Sequence, residues 1–176
     1  MIKYSPLLEE AFHRRKRPVW MSWRLDETYI KVKGVWHYLY RAVDKDGKTI
    51  DFLLTEHRDE QAAKRFLTKA IRRHGGVPEK ITIDGSAANE AAIKSYNEEH
   101  GTAIVIRKTK YLNNIVEQDH RAVKRVTRPM LGFKAFDAAQ ATLTGIELMH
   151  MLRKGQLEGG REQGRSAAEQ FYALAA

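Results

Sequence analysis

From Trp20 to His57 the side chains alternate with a period of two through three runs separated by turn signals. A chain patterned this way is committed to an antiparallel sheet before anything else is decided. Arg24, Asp26, Thr28, Ile30 and Val32 fall on one side of the first run, and Trp23, Leu25, Glu27, Tyr29 and Lys31 on the other. Lys33-Gly34 marks a turn, Trp36, Tyr38 and Tyr40 alternate in the second run, and Asp44-Lys45-Asp46-Gly47 marks the next turn. Thr49 to Thr55 makes a third strand. The period then changes. Ala62, Ala63, Phe66, Leu67, Ala70 and Ile71 form an apolar helical stripe between Asp59 and His74, closed by Gly75-Gly76 and Pro78. Ile81-Thr82-Ile83 is a short buried strand, residues 87 to 100 a helix, and Thr102 to Ile106 a fifth strand. Two further helices follow, one built on Lys110 to Arg125 and one from Asp137 to Lys154, separated by Pro129 and Gly132. The expected class is α/β: a mixed five-stranded sheet, three antiparallel strands and then two parallel ones, with helical crossovers and helices on both faces.

Residues 1 to 19 precede the first strand as a short amphipathic segment with Leu7, Leu8, Ala11 and Phe12 at helical spacing and a basic run, His13-Arg14-Arg15-Lys16-Arg17. Residues 158 to 176, with Gly159, Gly160 and Gly164 among polar side chains, read as a weakly ordered tail with room for one last helix. No apolar run approaches the length of a membrane span, and the start is too charged for a secretory signal, so a cytoplasmic protein is expected. There are no cysteines among the 176 residues, which excludes disulfides and thiolate metal sites. Any metal must be held by Asp, Glu or His, a donor set that favours magnesium or manganese. Lys plus Arg number 31 against 22 Asp plus Glu, a formal net charge of +9. A polyphosphate partner suits that surplus, because each neutralised phosphate releases counterions.

Three carboxylates stand at element ends where they could converge. Asp26 lies inside a strand, where Asp is disfavoured. Asp84 follows the short strand at the carboxyl edge, where open α/β sheets place ligands. Glu117 lies near the start of the helix that opens at Asn113-Asn114, a pair suited to N-capping. Helical spacing puts Glu117, His120, Arg121 and Lys124 on one side, away from an apolar side of Ile115, Val116, Ala122, Val123 and Val126. Clustered carboxylates repel unless divalent cations neutralise them. Taken singly each has a mundane alternative: Asp26 pairing with Arg24 or Lys31, Asp84 capping the helix from 87, Glu117 bridging to Arg121. Glu27, Asp51 and Asp119 are neighbours that could be mistaken for members, though Glu27 points to the face opposite Asp26. Basic clusters lie beside the acids: Arg15 and Arg17, Lys108 and Lys110, Arg121, Lys124 and Arg125.

The segments Ser22 to Gly34, Tyr38 to Asp44, Ala63 to Leu67, Thr82-Ile83-Asp84 and Lys110 to His120 together resemble the DDE transposases of insertion-sequence family six. Leu131 to Lys134 and Met151 to Gln156 extend the likeness, which covers about residues 15 to 157. The resemblance implies a ribonuclease-H-like, integrase-like catalytic domain over 20 to 157. It implies a catalytic and metal-binding triad of Asp26, Asp84 and Glu117 holding two magnesium or manganese ions. Lys124 matches a basic residue kept two turns after the helical glutamate to hold DNA phosphate, and Arg121, Arg125, Lys110, Lys108, Arg15 and Arg17 are the other expected DNA contacts. The implied activity is cleavage of transposon ends and strand transfer into target DNA, with cointegrate formation, by a homodimer or larger assembly acting at the bacterial nucleoid. Two departures stand out. Relatives carry an N-terminal helix-turn-helix region, for which residues 1 to 19 leave no room, and Gly85 stands where relatives commonly have lysine. A non-catalytic remnant that only binds DNA is the alternative. Glu117-x-x-His120 and Glu147-x-x-His150 also match the di-iron helical-bundle pattern, but the strand-rich first third leaves no room for four helices.

Overall fold

The computed structural model describes residues 4–160 and 162–175. Five strands, β1 (Ser22–Val32), β2 (Val35–Asp44), β3 (Thr49–Thr55), β4 (Lys80–Ile83) and β5 (Val105–Lys108), form one sheet in the order β3-β2-β1-β4-β5. β2 and β3 are antiparallel, whereas β4 is parallel to both β1 and β5. The mixed sheet expected from the alternation is therefore present. Positive φ at Lys33 and Gly34 closes the β1–β2 hairpin in the two-residue form that matches strand twist. Asp44 Oδ1 accepts from Asp46 N and Lys48 N, both at 2.9 Å, to shape the next turn.

Residues 19–31 and 35–122 make one compact unit. Its core lies on a single sheet face, where Trp23, Leu25, Tyr40, Ala42, Ile50, Ile81 and Ile83 pack under helices α2 (Glu60–His74) and α3 (Ala87–His100). The stripe anticipated from spacing is the buried face of α2. Asp59 caps it by accepting from Ala62 N at 2.7 Å, and Gly75 ends it in the left-handed region. The fifth strand starts later than its apolar pattern suggests, at Val105 rather than Thr102. The reason is Asn97, whose side chain takes bonds from Thr102 Oγ1 (2.8 Å) and Ile104 N (3.0 Å) and donates to Ile104 O (3.1 Å). Thr102 and Ile104 are thereby committed to the helix end.

The second unit comprises 1–18, 32–34 and 123–176. It holds α1 (Ser5–Arg14), the end of α4 (Asn114–Thr127), α5 (Phe136–Arg153) and α6 (Ala167–Ala175). The stretch after 157 is more structured than its glycines suggest. An antiparallel bridge joins Lys16 to Leu157, Arg17 N donates to Gln156 O at 2.8 Å, and Glu158 N donates to Arg15 O at 2.9 Å. Ser166 and Glu169 form a reciprocal capping box at the start of α6, with Glu169 N to Ser166 Oγ at 3.3 Å and Ser166 N to Glu169 Oε2 at 2.7 Å. Among the described residues no helix is long and apolar enough to cross a membrane.

Candidate active site

The second face of the sheet is polar where β1, β4 and β5 adjoin, at Arg24, Thr82 and Arg107, and its register positions two of the three carboxylates. Arg24 on β1 lies opposite Thr82 on β4 in a parallel pairing. Two residues further along both strands, on the same face, come Asp26 and Asp84, the latter one residue past the end of β4. Parallel neighbours are about 4.8 Å apart, so this register, continued two residues, sets the two acids side by side. Asp84 is exposed, and its Oδ1 accepts from Ser86 N at 3.1 Å, so it shapes the loop before α3 rather than capping the helix. Gly85 has φ +103, a conformation that side-chain-bearing residues rarely adopt, which accounts for glycine at a position where the resemblance leads one to expect lysine.

The third carboxylate arrives on α4. A 3-10 turn at Lys110–Asn113 leads into it, and Asn113 is not the cap its position suggests. Fully buried, it donates from Nδ2 to Leu25 O at 3.3 Å and so fastens the helix entrance to β1 beside Asp26. Arg41, wholly buried on β2, donates from Nη1 to Asp119 Oδ2 at 2.8 Å. Burial pushes the Arg41 guanidinium below its ordinary value while the Asp119 charge and hydrogen bond pull it back up. His120 is buried too, with Nε2 3.3 Å from Asp26 Oδ2. This corrects the face reading: Asn113, Val116, His120, Val123 and Thr127 make the buried line, and Val126 is exposed. Glu117, partly exposed, lies one turn before His120 on that flank of α4.

Among the described residues neither Asp84 nor Glu117 is ion-paired, and Asp26 meets His120 rather than Arg24 or Lys31. The oxygens of Asp26, Asp84 and Glu117 do not all lie within 4.8 Å of one another. The donor set is all oxygen, which fits a hard divalent ion. Below the acids the same face carries two guanidinium groups that sequence reasoning did not single out for the site. Arg24 Nη1 donates to Ser22 O at 2.9 Å. Arg107 donates from Nε to Thr82 Oγ1 and from Nη2 to Ser22 Oγ, both at 3.2 Å. Burial and then the charge of Arg107 lower the Arg24 pKa. These cations lie on the sheet face of the carboxylates, two residues back along the strands, about 7 Å.

The acids set aside as neighbours are each engaged elsewhere. Glu27 faces the other way, accepts from Asn89 Nδ2 at 2.9 Å and pairs with Arg58. Burial pushes its carboxyl up, with the Asn89 hydrogen bond and the Arg58 charge opposing the shift. Asp51 takes Lys69 at 2.9 Å and Arg73 at 3.5 Å. Of the expected DNA contacts, Arg15, Lys110, Arg121 and Arg125 are exposed. Lys124 is half-buried on α4, Lys108 pairs with Glu90 at 2.6 Å and Arg17 with Glu162 at 2.7 Å.

Comparison with known proteins bears on the family and the fold. A family model described as a DDE domain, of the IS240 transposase type, matches residues 20–156. The transposase for insertion sequence-like element IS431mec of Staphylococcus aureus is 38% identical over 160 residues, covering 86% of this chain and 66% of that protein. The transposase for insertion sequence element IS257 in transposon Tn4003, also from Staphylococcus aureus, matches to the same extent. The chain thus spans about two thirds of the length of these relatives. Among solved structures, the HTLV-2 integrase catalytic core domain in complex with magnesium superposes with a TM-score of 0.58 at 17% identity, covering 87% of this chain and 97% of that one. The catalytic core domain of BIV integrase gives 0.56 at 14% identity, covering 88% and 95%. The fold is that of the integrase catalytic core, ribonuclease-H-like.

Proposed function

Because the chain belongs to the DDE transposase family, matched across residues 20–156, we propose that it cuts DNA at transposon ends and joins the freed 3′-hydroxyl to target DNA. In this reading Asp26, Asp84 and Glu117 hold two magnesium or manganese ions. Such ions, when bound, activate a nucleophilic oxygen and stabilise the leaving oxygen of a phosphodiester. The observation that carries the reading is the parallel pairing of β1 with β4 in a register that leads on to Asp26 and Asp84, with α4 fastened to Leu25 beside them.

The chain's own groups divide the remaining work. Arg24 and Arg107, bonded to Ser22 and Thr82, place fixed positive charge on the sheet face behind the ligands. Asn113, Arg41 and His120 set the axial position and rotation of α4, and with them Glu117. Lys124, two helical turns or about 10.5 Å beyond Glu117, holds a phosphate of the bound strand, with Arg121, Arg125, Lys110, Lys108, Arg15 and Arg17 as further backbone contacts. Cointegrate formation, assembly as a homodimer or larger oligomer, and action on the nucleoid in the cytoplasm complete the proposal.

The test is to incubate the purified chain with labelled transposon-end DNA, with and without manganese or magnesium. Nicking or strand transfer that needs metal and disappears in Asp84→Ala and Glu117→Gln, both still folded, is the expected result. DNA binding indifferent to metal and to both substitutions, with no cleavage, would instead mark a DNA-binding module.

A further inference from the structure

One row of the sheet gathers positive charge with which no carboxylate is paired. Arg24 on β1 is the register partner of Thr82 on β4, and Thr82 of Arg107 on β5, so the two guanidinium groups rise from one face on either side of the threonine. They converge on a single hydroxyl. Ser22 Oγ accepts from Arg24 Nη1 at 3.4 Å and from Arg107 Nη2 at 3.2 Å. Their other acceptors, Ser22 O and Thr82 Oγ1, are neutral as well, and among the described residues neither arginine is ion-paired. Asp44 and Asp46 attract Arg24 only from a distance, their oxygens being bonded to Trp20 and to the turn amides. Arg24 is 7% exposed, and its Nε is buried with no hydrogen-bond partner. Holding like charges together on neutral partners is costly, and most of the N–H donors on the two groups are unused.

We propose that Arg24, Arg107 and Ser22 cradle a phosphate of the DNA strand cut at Asp26 and Asp84. This rests on the reading of those acids as the cleavage site. The chemistry selects the occupant. Both guanidinium groups offer donors only, and Ser22 Oγ, which already accepts twice, has its own O–H left to donate. A phosphate oxygen is the anionic acceptor that such a fork fits. Position selects the strand. The row lies on the face of the acids, two residues back along β1 and β4, about 7 Å or roughly two 3.4 Å steps of a B-form strand. A strand with its scissile phosphate at the acids therefore brings another phosphate, one or two nucleotides away, to the arginines. Arg107 and Ser22 are half-buried and β5 is an edge strand, so the cradle opens at the rim of the sheet. Filling it sets a negative charge against two positive ones and fixes the register of the strand at the cleavage point.

The experiment measures binding of the whole chain to labelled transposon-end duplex across a salt series, with calcium in place of magnesium to prevent cleavage, and to inorganic phosphate by calorimetry. Arg24→Gln and Arg107→Gln are compared with Arg107→Lys, and with Arg72→Gln, which removes the same charge from an exposed position on α2. Each variant is first checked for folding by circular dichroism; should Arg24→Gln not fold, Arg107→Gln, on the edge strand, decides alone. The cradle predicts about tenfold weaker DNA binding by each glutamine variant in the triad row, with a slope of log affinity against log salt about one unit shallower. Arg107→Lys should keep the slope and lose part of the affinity, because an ammonium is not a fork. Replacing single phosphates by neutral methylphosphonates should weaken native binding at a position within about two nucleotides of the cleaved bond, and leave Arg107→Gln unaffected there. Losses no larger than that of Arg72→Gln, or none, overturn the proposal while leaving the proposed function standing. Inorganic phosphate bound by native protein and lost in the glutamine variants, with DNA affinity unchanged, would make this a site for free phosphate and refute the strand contact. Native protein that binds no DNA of any kind overturns both readings.

Discussion

The pair between Arg41 and Asp119 gives the sharpest quantitative test of how α4 is held. Its Nη1 to Oδ2 distance is 2.8 Å, the arginine side chain is wholly buried and the aspartate is 11% exposed. At an effective dielectric near 20, unit charges about 4 Å apart attract by about 4 kcal/mol, and breaking a buried pair from one side costs about 3–5 kcal/mol. Arg41→Met keeps most of the volume and removes the charge, leaving the carboxylate without this guanidinium. It should lower stability by that amount, which for a chain of this size is a fall in Tm of about 6–20 °C. Asp119→Leu should also destabilise. Because the two side chains act on each other, the double variant should lose less than the sum, with a coupling of about 1–3 kcal/mol by urea denaturation. Both single variants, assayed where they remain folded, should lose cleavage about a hundredfold, since a displacement of about 1 Å at a reacting group has that effect. Additivity within about 0.5 kcal/mol, or full cleavage by folded Arg41→Met, would refute the view that this pair sets the helix.

Hydrogen bonds from Lys108 and Lys94 hold the Glu90 carboxyl down at about 2. A depressed carboxylate stabilises the fold fully above its unfolded value near 4.5 and loses that contribution as pH falls through about 2. Lys108→Ala should move the Glu90 titration upward in carbon-detected NMR, and an unmoved titration would show that Lys108 is not its partner in solution. The same pairing predicts that Glu90→Gln, by releasing Lys108, tightens binding of duplex DNA at low salt; weaker binding would place Lys108 away from the phosphates. Lys124→Ala should weaken DNA binding and reduce the slope of log affinity against log salt by about one unit, and an unchanged slope removes it from the backbone contacts. Ser166→Ala, which deletes half of the capping box on α6, should cost about 1 kcal/mol in thermal denaturation, with no effect on cleavage.

The sheet was legible in the sequence because alternation is a local signal: Trp23 and Leu25 turn to the core and Arg24 and Asp26 to the polar face, as their spacing requires. Asp84 was legible for a related reason, since a short apolar run followed by Asp-Gly marks a strand's carboxyl end. What the sequence could not show were long-range bonds. Asn113 has the side chain of a helix cap, and only the chain 88 positions earlier decides that it bonds Leu25 instead. His120 sits in a run of charges, so its periodicity resembles that of a solvated face, and its burial follows from Asp26, 94 residues away. Asn97 diverts Thr102 and Ile104 from β5 by side-chain bonds that hydrophobic pattern does not register. Ser166-x-x-Glu169 is different: that capping box was readable and was obscured by the glycines before it.

The three acids are therefore held by unlike means, and this bears on which changes should separate activity from folding. Asp26 and Asp84 are fixed by ladder register between strands whose opposite face is the main core, so moving one relative to the other means slipping a buried sheet. Glu117 depends on a helix held to that sheet by a few polar side chains, Asn113 at its entrance and Arg41–Asp119 and His120–Asp26 nearly two turns further on. Such contacts are short-ranged and directional, so loss of one lets the helix turn or slide while buried Val116 keeps it packed. Substitutions at these tethers should impair cleavage at temperatures where the sheet is intact, whereas substitutions in the β1–β4 register should abolish both together. A divalent ion gathered between the strand pair and the helix would add a further tether, so bound metal should protect α4 amides from hydrogen exchange more than those of β1 and β4.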